Sequence, residues 1–318
     1  MLLFYIFIFL ICCAILYFSG ELVVGGLMRM ARFLGWKEFV VAFFVMAFAA
    51  SLPNLFVGLS SAFHKIPQLS FGDIVGGNLV DLTIVVALAA LIAKGLPAES
   101  RMVQASSIFT ILIAILPLFL ILDGKLGRGD GILLILTFFF YIFWLFSKKE
   151  RFTKVYDGKK EPIVKGFKIF LKDLGKIILG IILLLLAAEG IVRSASFFAQ
   201  SFNLPLALIG ILIVGLGNAL PETYFAIVSA KKGQTWMILG DLMGAVIVPA
   251  TLVLGIVALI CPIEIPDFSP LVIARFFLII SALFFLFFVR TDRKITKKEA
   301  LFLLGLYILF VLVEILTK

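Results

Sequence analysis

Charge is scarce in this chain. Asp, Glu, Lys and Arg make up 15% of its 318 residues, where a soluble domain carries about a quarter. Histidine occurs once, at His64, and cysteine three times, at Cys12, Cys13 and Cys261. Without a His or thiolate set at ligand spacing there is no zinc or copper site, and three cysteines in apolar surroundings make no disulfide framework. The thiols read as packing residues, and His64 is given no chemistry. Period-two alternation is missing too, which excludes a β-barrel.

Hydrophobic residues, by contrast, reach 63%, with a mean hydropathy of +1.21. The apolar runs are 2–27, 39–63, 74–93, 103–122 and 131–146, then 174–198, 204–230, 236–260, 270–289 and 300–316. Runs of about 20 apolar residues span a bilayer, and lipid cannot satisfy open backbone, so each must be a helix. The expected fold is an all-α polytopic membrane protein with ten transmembrane helices. The first run continues through Ser19, Gly20 and Glu21, so it is expected to be a retained span and not a cleaved signal.

A net charge of +9 could suggest nucleic acid, but the bases lie in loops between apolar runs. Only Lys65, Lys125, Arg128, Arg193, Arg275 and Lys318 fall on one side of the expected membrane. The other 22 of the 28 Lys and Arg fall on the opposite side, ten of them around the connection 148–172. The positive-inside rule makes that side cytoplasmic and puts both termini outside. Five spans per half is an odd number, so the second half enters the membrane upside down.

The two halves also share sequence. Subtracting 168 from Pro221 and Glu222 gives Pro53 and Asn54; the same offset carries Glu189 to Glu21, Gly240-Asp241 to Gly72-Asp73, and Gly244 to Gly76. The chain therefore reads as two inverted five-helix repeats, 1–147 and 173–318. They are joined by a basic cytoplasmic connection, 148–172, and each holds a recurring core, about 39–93 and 204–260. Inverted repeats are a transporter architecture, with the site near the midplane between them.

Chemistry concentrates where polar residues interrupt apolar runs. Pro53 and Pro221 lack an N–H and should open their helices, among small residues that include Ala47, Ala49, Ala50 and Ser51 in one half and Gly215, Gly217 and Ala219 in the other. A break repeated at corresponding positions points to a transport site. Asp81, deep in its run, is by default functional. Asp73 lies nearer a helix start and reads equally well as a cap or as part of the site. Glu21 and Glu189 read as structural acids or as pathway residues, with nothing to separate the two. Asp81 and Glu222 supply at most two charges, and Asn54, Asn218, Ser51 and the carbonyls of Ala47 and Gly215 complete an oxygen-only set. Such ligands suit Na⁺, Ca²⁺ or Mg²⁺.

These residues resemble the calcium/cation antiporter superfamily, which includes the sodium/calcium exchangers; the chain looks like a divergent prokaryotic-type member. The family's first element, roughly G-T-S-L-P-E, stands here as Ala49-Ala50-Ser51-Leu52-Pro53-Asn54 and as Gly217-Asn218-Ala219-Leu220-Pro221-Glu222. Its second, roughly G-N-x-x-G-S-N-x-x-N/D, runs from Gly72-Asp73 to Asp81 and from Gly240-Asp241 to Pro249. The resemblance implies a monomeric antiporter of the cell membrane with no cofactor, carrying Ca²⁺ and Na⁺ through a site poorer in acids and hydroxyls than the usual exchanger. Four spans would hold the site while the first and sixth slide across them. Three rivals follow: a proton-coupled antiporter of the same fold, a non-transporting member acting through partners, and, last, an intramembrane hydrolase using Asp81 and Glu222. The lipid bilayer and inorganic cations are the expected partners; neither enzyme activity nor nucleic-acid binding is expected.

Overall fold

The computed structural model describes residues 1–33, 51–99, 101–147, 163–233, 235–265 and 271–317. Its elements follow the apolar runs: α1 (Leu2–Phe33), α2 (Leu52–Phe63), α3 (Gln68–Ile92), α4 (Arg101–Leu120), α5 (Arg128–Ser147), α6 (Ile163–Phe202), α7 (Leu206–Lys231), α8 (Thr235–Val248, continuing through Leu254–Ile260), α9 (Val272–Arg290) and α10 (Lys297–Leu316). Among the described residues, nine helices are long and apolar enough to cross a membrane. The tenth is α2, whose described part is a 12-residue apolar helix; the first half of its run, with Ala47, Ala49 and Ala50, lies outside the described residues.

Short strands show which connections share a side. β1 (Leu96–Pro97), between α3 and α4, pairs antiparallel with β4 (Lys294–Ile295), between α9 and α10. β2 (Lys125–Leu126), between α4 and α5, pairs with β3 (Ile263–Glu264), between α8 and α9. An offset of 168 moves the first pairing onto the second, because residue 96 becomes 264 and 126 becomes 294. Arg29, near the end of α1, meets the buried Asp173 near the start of α6 at 2.8 Å. Each contact joins loops separated by an even number of spans. All agree with ten crossings and two inverted repeats. On the β2–β3 side, the Glu264 carboxylate accepts from Lys125 Nζ at 2.8 Å and holds that exposed ammonium above its usual range.

Two large apolar cores result among the described residues. One is built from α3, α4, α5, α8, α9 and α10, with part of α7. The other joins α1 to α6 through Phe9, Cys12, Cys13 and Leu16 against Leu184, Ala188, Ile191 and Ala195, and adds Val57, Leu69, Ile209 and Val214 from the site helices. Small residues let α1 and α6 approach closely: a side chain at Gly26 would meet Ile177, and one at Gly190 would meet the Cys12 sulfur. The cysteines are packing residues, as expected. At 40 residues, α6 is about 60 Å long at 1.5 Å per residue. That is twice the hydrocarbon core, so α6 runs well outside it or lies tilted.

Glycine against backbone sets the crossing of α3 with α7. A side chain at Gly72 would strike the carbonyl of Ala207, and one at Gly76 the carbonyl of Ile211. From the other helix, a Cβ at Gly210 would lie 2.6 Å from Leu69 O, and one at Gly215 would lie 2.6 Å from Gly77 N. Contacts this close are how membrane helices gain packing energy when lipid offers no hydrophobic drive.

Candidate cation site

Two residues before each proline the backbone takes the same conformation in both halves. Ser51 has φ −86° and ψ −4°, and Ala219, its counterpart at offset 168, has φ −81° and ψ 0°. Ala219 separates one helical segment from the next, which begins at Leu220, and Ser51 likewise directly precedes the start of α2 at Leu52. Pro53 and Pro221 therefore occupy the first turn of a new helix, where a missing N–H costs nothing. Glu222 sits in that turn, and Asn218 ends the segment before it.

A second paired irregularity lies in α3 and α8. Each is interrupted by a five-residue π-helical stretch, Asp81–Val85 in one and Pro249–Val253 in the other, and these start at positions related by the same offset. In both, a threonine hydroxyl donates back to the carbonyl four residues earlier: Thr83 to Leu79, and Thr251 to Ile247 at 2.6 Å. Such back-bonding bends a helix, and π-bulges recur at functional sites. The wider turn begins on Asp81 itself.

Between these breaks lies one small cavity. Asn54, Ile74, Gly77, Asn78 and Asp81 line it from the first half; Asn218, Ala219, Glu222, Ala245 and Pro249 line it from the second. Its free volume is about 10 Å³, close to the minimum that admits one water. Asp81 and Glu222 are each 4% exposed. Among the described residues, Asp81 Oδ1, Glu222 Oε2 and Asn218 Oδ1 are buried with no hydrogen-bond partner. An acid at a helix centre costs about 2.5–3.5 kcal/mol on the insertion scale, so leaving these oxygens without any partner would be expensive. A bound cation removes that penalty, and an all-oxygen shell fits a hard one.

Of the residues singled out from sequence, Asn54, Asp81, Asn218 and Glu222 thus come together. Ser51 and Gly215 are buried nearby but do not line the cavity. The Gly215 carbonyl accepts the Ala219 N–H at 3.0 Å, and Ala47 lies outside the described residues. Asn54 presents its oxygen to Asn218 Nδ2 at 3.0 Å, so its first task is to orient that amide.

Two acids enter that sequence reasoning had left at the margin. Asp73 does not cap a helix: α3 starts five residues earlier, at Gln68, and Asp73 is 1% exposed and takes Asn218 Nδ2 on both oxygens at 2.9 Å. Its counterpart Asp241, half-buried on α8, lies close enough to Asp81 and Glu222 to repel both. Four carboxylates, not two, govern the field here. The signal available in the sequence was their recurrence at the offset of 168. Among the described residues no three carboxylates, imidazoles or thiols converge tightly enough to hold a metal alone, so amide or backbone oxygens must complete any shell.

The other repeat-related acids have structural partners. Glu189 accepts from Ser60 Oγ at 2.9 Å and from Arg193 Nε at 2.7 Å, and His64 Nε2 lies 3.2 Å away. Glu21 accepts from the Tyr17 hydroxyl at 2.8 Å. Neither lines the cavity.

Comparison with known proteins agrees with the two-repeat fold. The family model described as sodium/calcium exchanger protein matches residues 4–147 and again 172–316, and the two matches begin 168 residues apart. The uncharacterised membrane protein MJ0091 of Methanocaldococcus jannaschii is 26% identical over 95% of each chain. The sodium/calcium exchanger MaX1 of Methanosarcina acetivorans is 24% identical over 89% of this chain and 90% of its own. Among solved structures, the sodium-calcium exchanger NCX_Mj soaked with Na⁺ and Sr²⁺ matches with a TM-score of 0.67 and 24% identity over 98% of both chains. That likeness shows the shared fold.

Proposed function

The chain belongs to the sodium/calcium exchanger family, and on that premise we propose that it is a secondary-active antiporter exchanging Na⁺ for Ca²⁺ through the cavity between α2, α3, α7 and α8. The observation that carries this reading is the group of three buried, unpartnered oxygens on Asp81, Asn218 and Glu222. The Asp81 and Glu222 charges match one Ca²⁺ or two Na⁺ equally, so the two loads are equivalent in charge. That equality is what lets two different cations compete for one site. The Asn218 oxygen adds a neutral ligand, and Pro249, which cannot donate to the carbonyl of Ala245, leaves another oxygen at the cavity wall.

The division into two cores supports alternating access. The α1–α6 pair meets the site helices largely through apolar side chains such as Val57, Leu69, Ile209 and Val214, and among the described side chains the polar links it would have to exchange on sliding are those of Glu189 with Ser60 and His64. The basic side, with loops β1–β4 and the connection 148–172, faces the cytoplasm, and both termini face out. One chain supplies the whole cavity, which supports function as a monomer.

Purified protein in liposomes should take up Ca²⁺ when an outward Na⁺ gradient is imposed. Uptake driven only by a proton gradient would make H⁺ the counter-ion, carried on the same carboxylates. No cation flux under any gradient would favour a non-transporting member.

Orientation has its own test. In a background with Cys12, Cys13 and Cys261 replaced, Lys125→Cys should react with an impermeant thiol reagent added outside intact cells, and Lys294→Cys should react only after lysis. The reverse pattern would invert the assigned topology. Both lysines lie on short strands, so neither substitution disturbs a span.

A further inference from the structure

Asn218 can present either end of its amide to the cavity, and only one end binds a cation. Its NH₂ is taken up on the far side: Nδ2 donates to both oxygens of Asp73 at 2.9 Å and to Asn54 Oδ1 at 3.0 Å. Its Oδ1 is left buried and unpartnered. An Asp73 carboxylate can accept but not donate, so it holds the NH₂ end of the amide and leaves the oxygen to the cavity. The arrangement exists in one half alone. At offset 168 the counterpart of Asp73 is Asp241, but the counterpart of Asn218 is Ala50, which has no amide to orient.

We propose that Asp73 is a positioning residue for cation binding: it fixes the Asn218 amide so that the oxygen joins Asp81 and Glu222 as a ligand. This rests on the reading of the cavity as a cation site. Without Asp73, rotation of the amide would point its NH₂ toward the Asp81 and Glu222 oxygens. The side chain would then satisfy the carboxylates in place of the ion, and the ligand would become a competitor. Ca²⁺ should suffer more than Na⁺, because it needs 6–8 oxygens and has few to spare here. The position is well suited to the task. Asp73 sits at the α3–α7 crossing, where the carbonyl of Asp73 lies 2.8 Å from a Cβ built on Gly215, so neither backbone can move to restore the geometry.

The test is a double-mutant cycle read by Ca²⁺ titration calorimetry on purified protein, with thermal melting as the check on folding. Asp73→Ala should weaken Ca²⁺ binding roughly 10- to 100-fold, the usual cost of losing a group that orients a metal ligand. Asp73→Asn keeps an oxygen that can accept from Asn218 Nδ2 but adds an NH₂ that can hold the amide the other way, so it should restore part of the loss although it carries no charge. In an Asn218→Ala background, Asp73→Ala should add little, because it acts through that amide. Equal losses for Asp73→Asn and Asp73→Ala would mean that Asp73 works by its charge, and would overturn the proposal. So would a full additional loss in the Asn218→Ala background. Should Asp73→Ala not fold, the comparison of Asp73→Asn with Asn218→Ala decides: the proposal requires the second to bind much more weakly than the first. The underlying reading is separable, since absence of Ca²⁺ binding in the wild type would sink both, whereas an unaffected Asp73→Ala would sink only this one.

Discussion

Glu222→Gln is expected to reduce cation flux in liposomes to that of protein-free vesicles, with the melting temperature unchanged or raised. The two readouts move apart because Glu222 is a site acid and not half of an ion pair. It is 4% exposed, its Oε2 has no protein partner, and its charged neighbours are the acids Asp81, Asp241 and Asp73. Breaking a buried ion pair costs about 3–5 kcal/mol because one charge is left stranded; here no cation is stranded, and one source of repulsion is removed. Gln keeps the volume and an oxygen, so the cavity keeps its shape. The charge of the Asp81–Glu222 pair falls by half, which no longer matches one Ca²⁺ or two Na⁺. Flux near wild type in a folded Glu222→Gln protein would remove Glu222 from the site.

Gly76→Val is expected to abolish folded protein, whereas Gly305→Val should leave expression and melting nearly unchanged. A Cβ at Gly76 would overlap the carbonyl oxygen of Ile211 and lie 2.6 Å from its Cα and 2.8 Å from its carbonyl carbon. These are backbone atoms, which cannot swing aside like the end of a long side chain. The helices would have to part, and three more close approaches at Gly72, Gly210 and Gly215 lie on the same crossing. Overpacking a core costs about 1–3 kcal/mol where side chains can yield; with backbone on both sides the cost is larger. Parting the helices would also break the 2.9 Å contacts between Asn218 and Asp73. Gly305, by contrast, has nothing within 4 Å. A well-folded Gly76→Val protein of native melting temperature would show that the crossing is looser than described.

The positions of the acids show how far residue patterns reach. Asp81 and Glu222 could be picked out because an ionisable group inside an apolar run has no cheap explanation. Asp73 could not be assigned in the same way. Its apolar run starts at Ile74, which suits a cap, but α3 begins at Gln68 since the turn after α2 is short. Ser51 and Gly215 fit the small, polar pattern of a ligand site, yet one directly precedes the start of α2 and the other occupies the glycine crossing. A small residue is equally useful to an ion and to a neighbouring backbone, and spacing along the chain does not tell which of them arrives.

What the sequence determined by itself is the part governed by the bilayer: ten apolar runs, their helical state, the odd count per half, and the internal repeat that makes the halves inverted. These follow from the cost of exposing polar backbone to lipid, a local quantity summed along the chain. Tertiary structure alone decided which oxygens are left over. The π-helical stretches starting at Asp81 and Pro249, the direction of the Asn218 amide, and the sealing of Asp73 against it depend on which atoms face each other across α3 and α7. Those facings are set by helix rotation and close backbone approach, which no single apolar run encodes, because the partner that fixes them lies some 140 residues away in the chain.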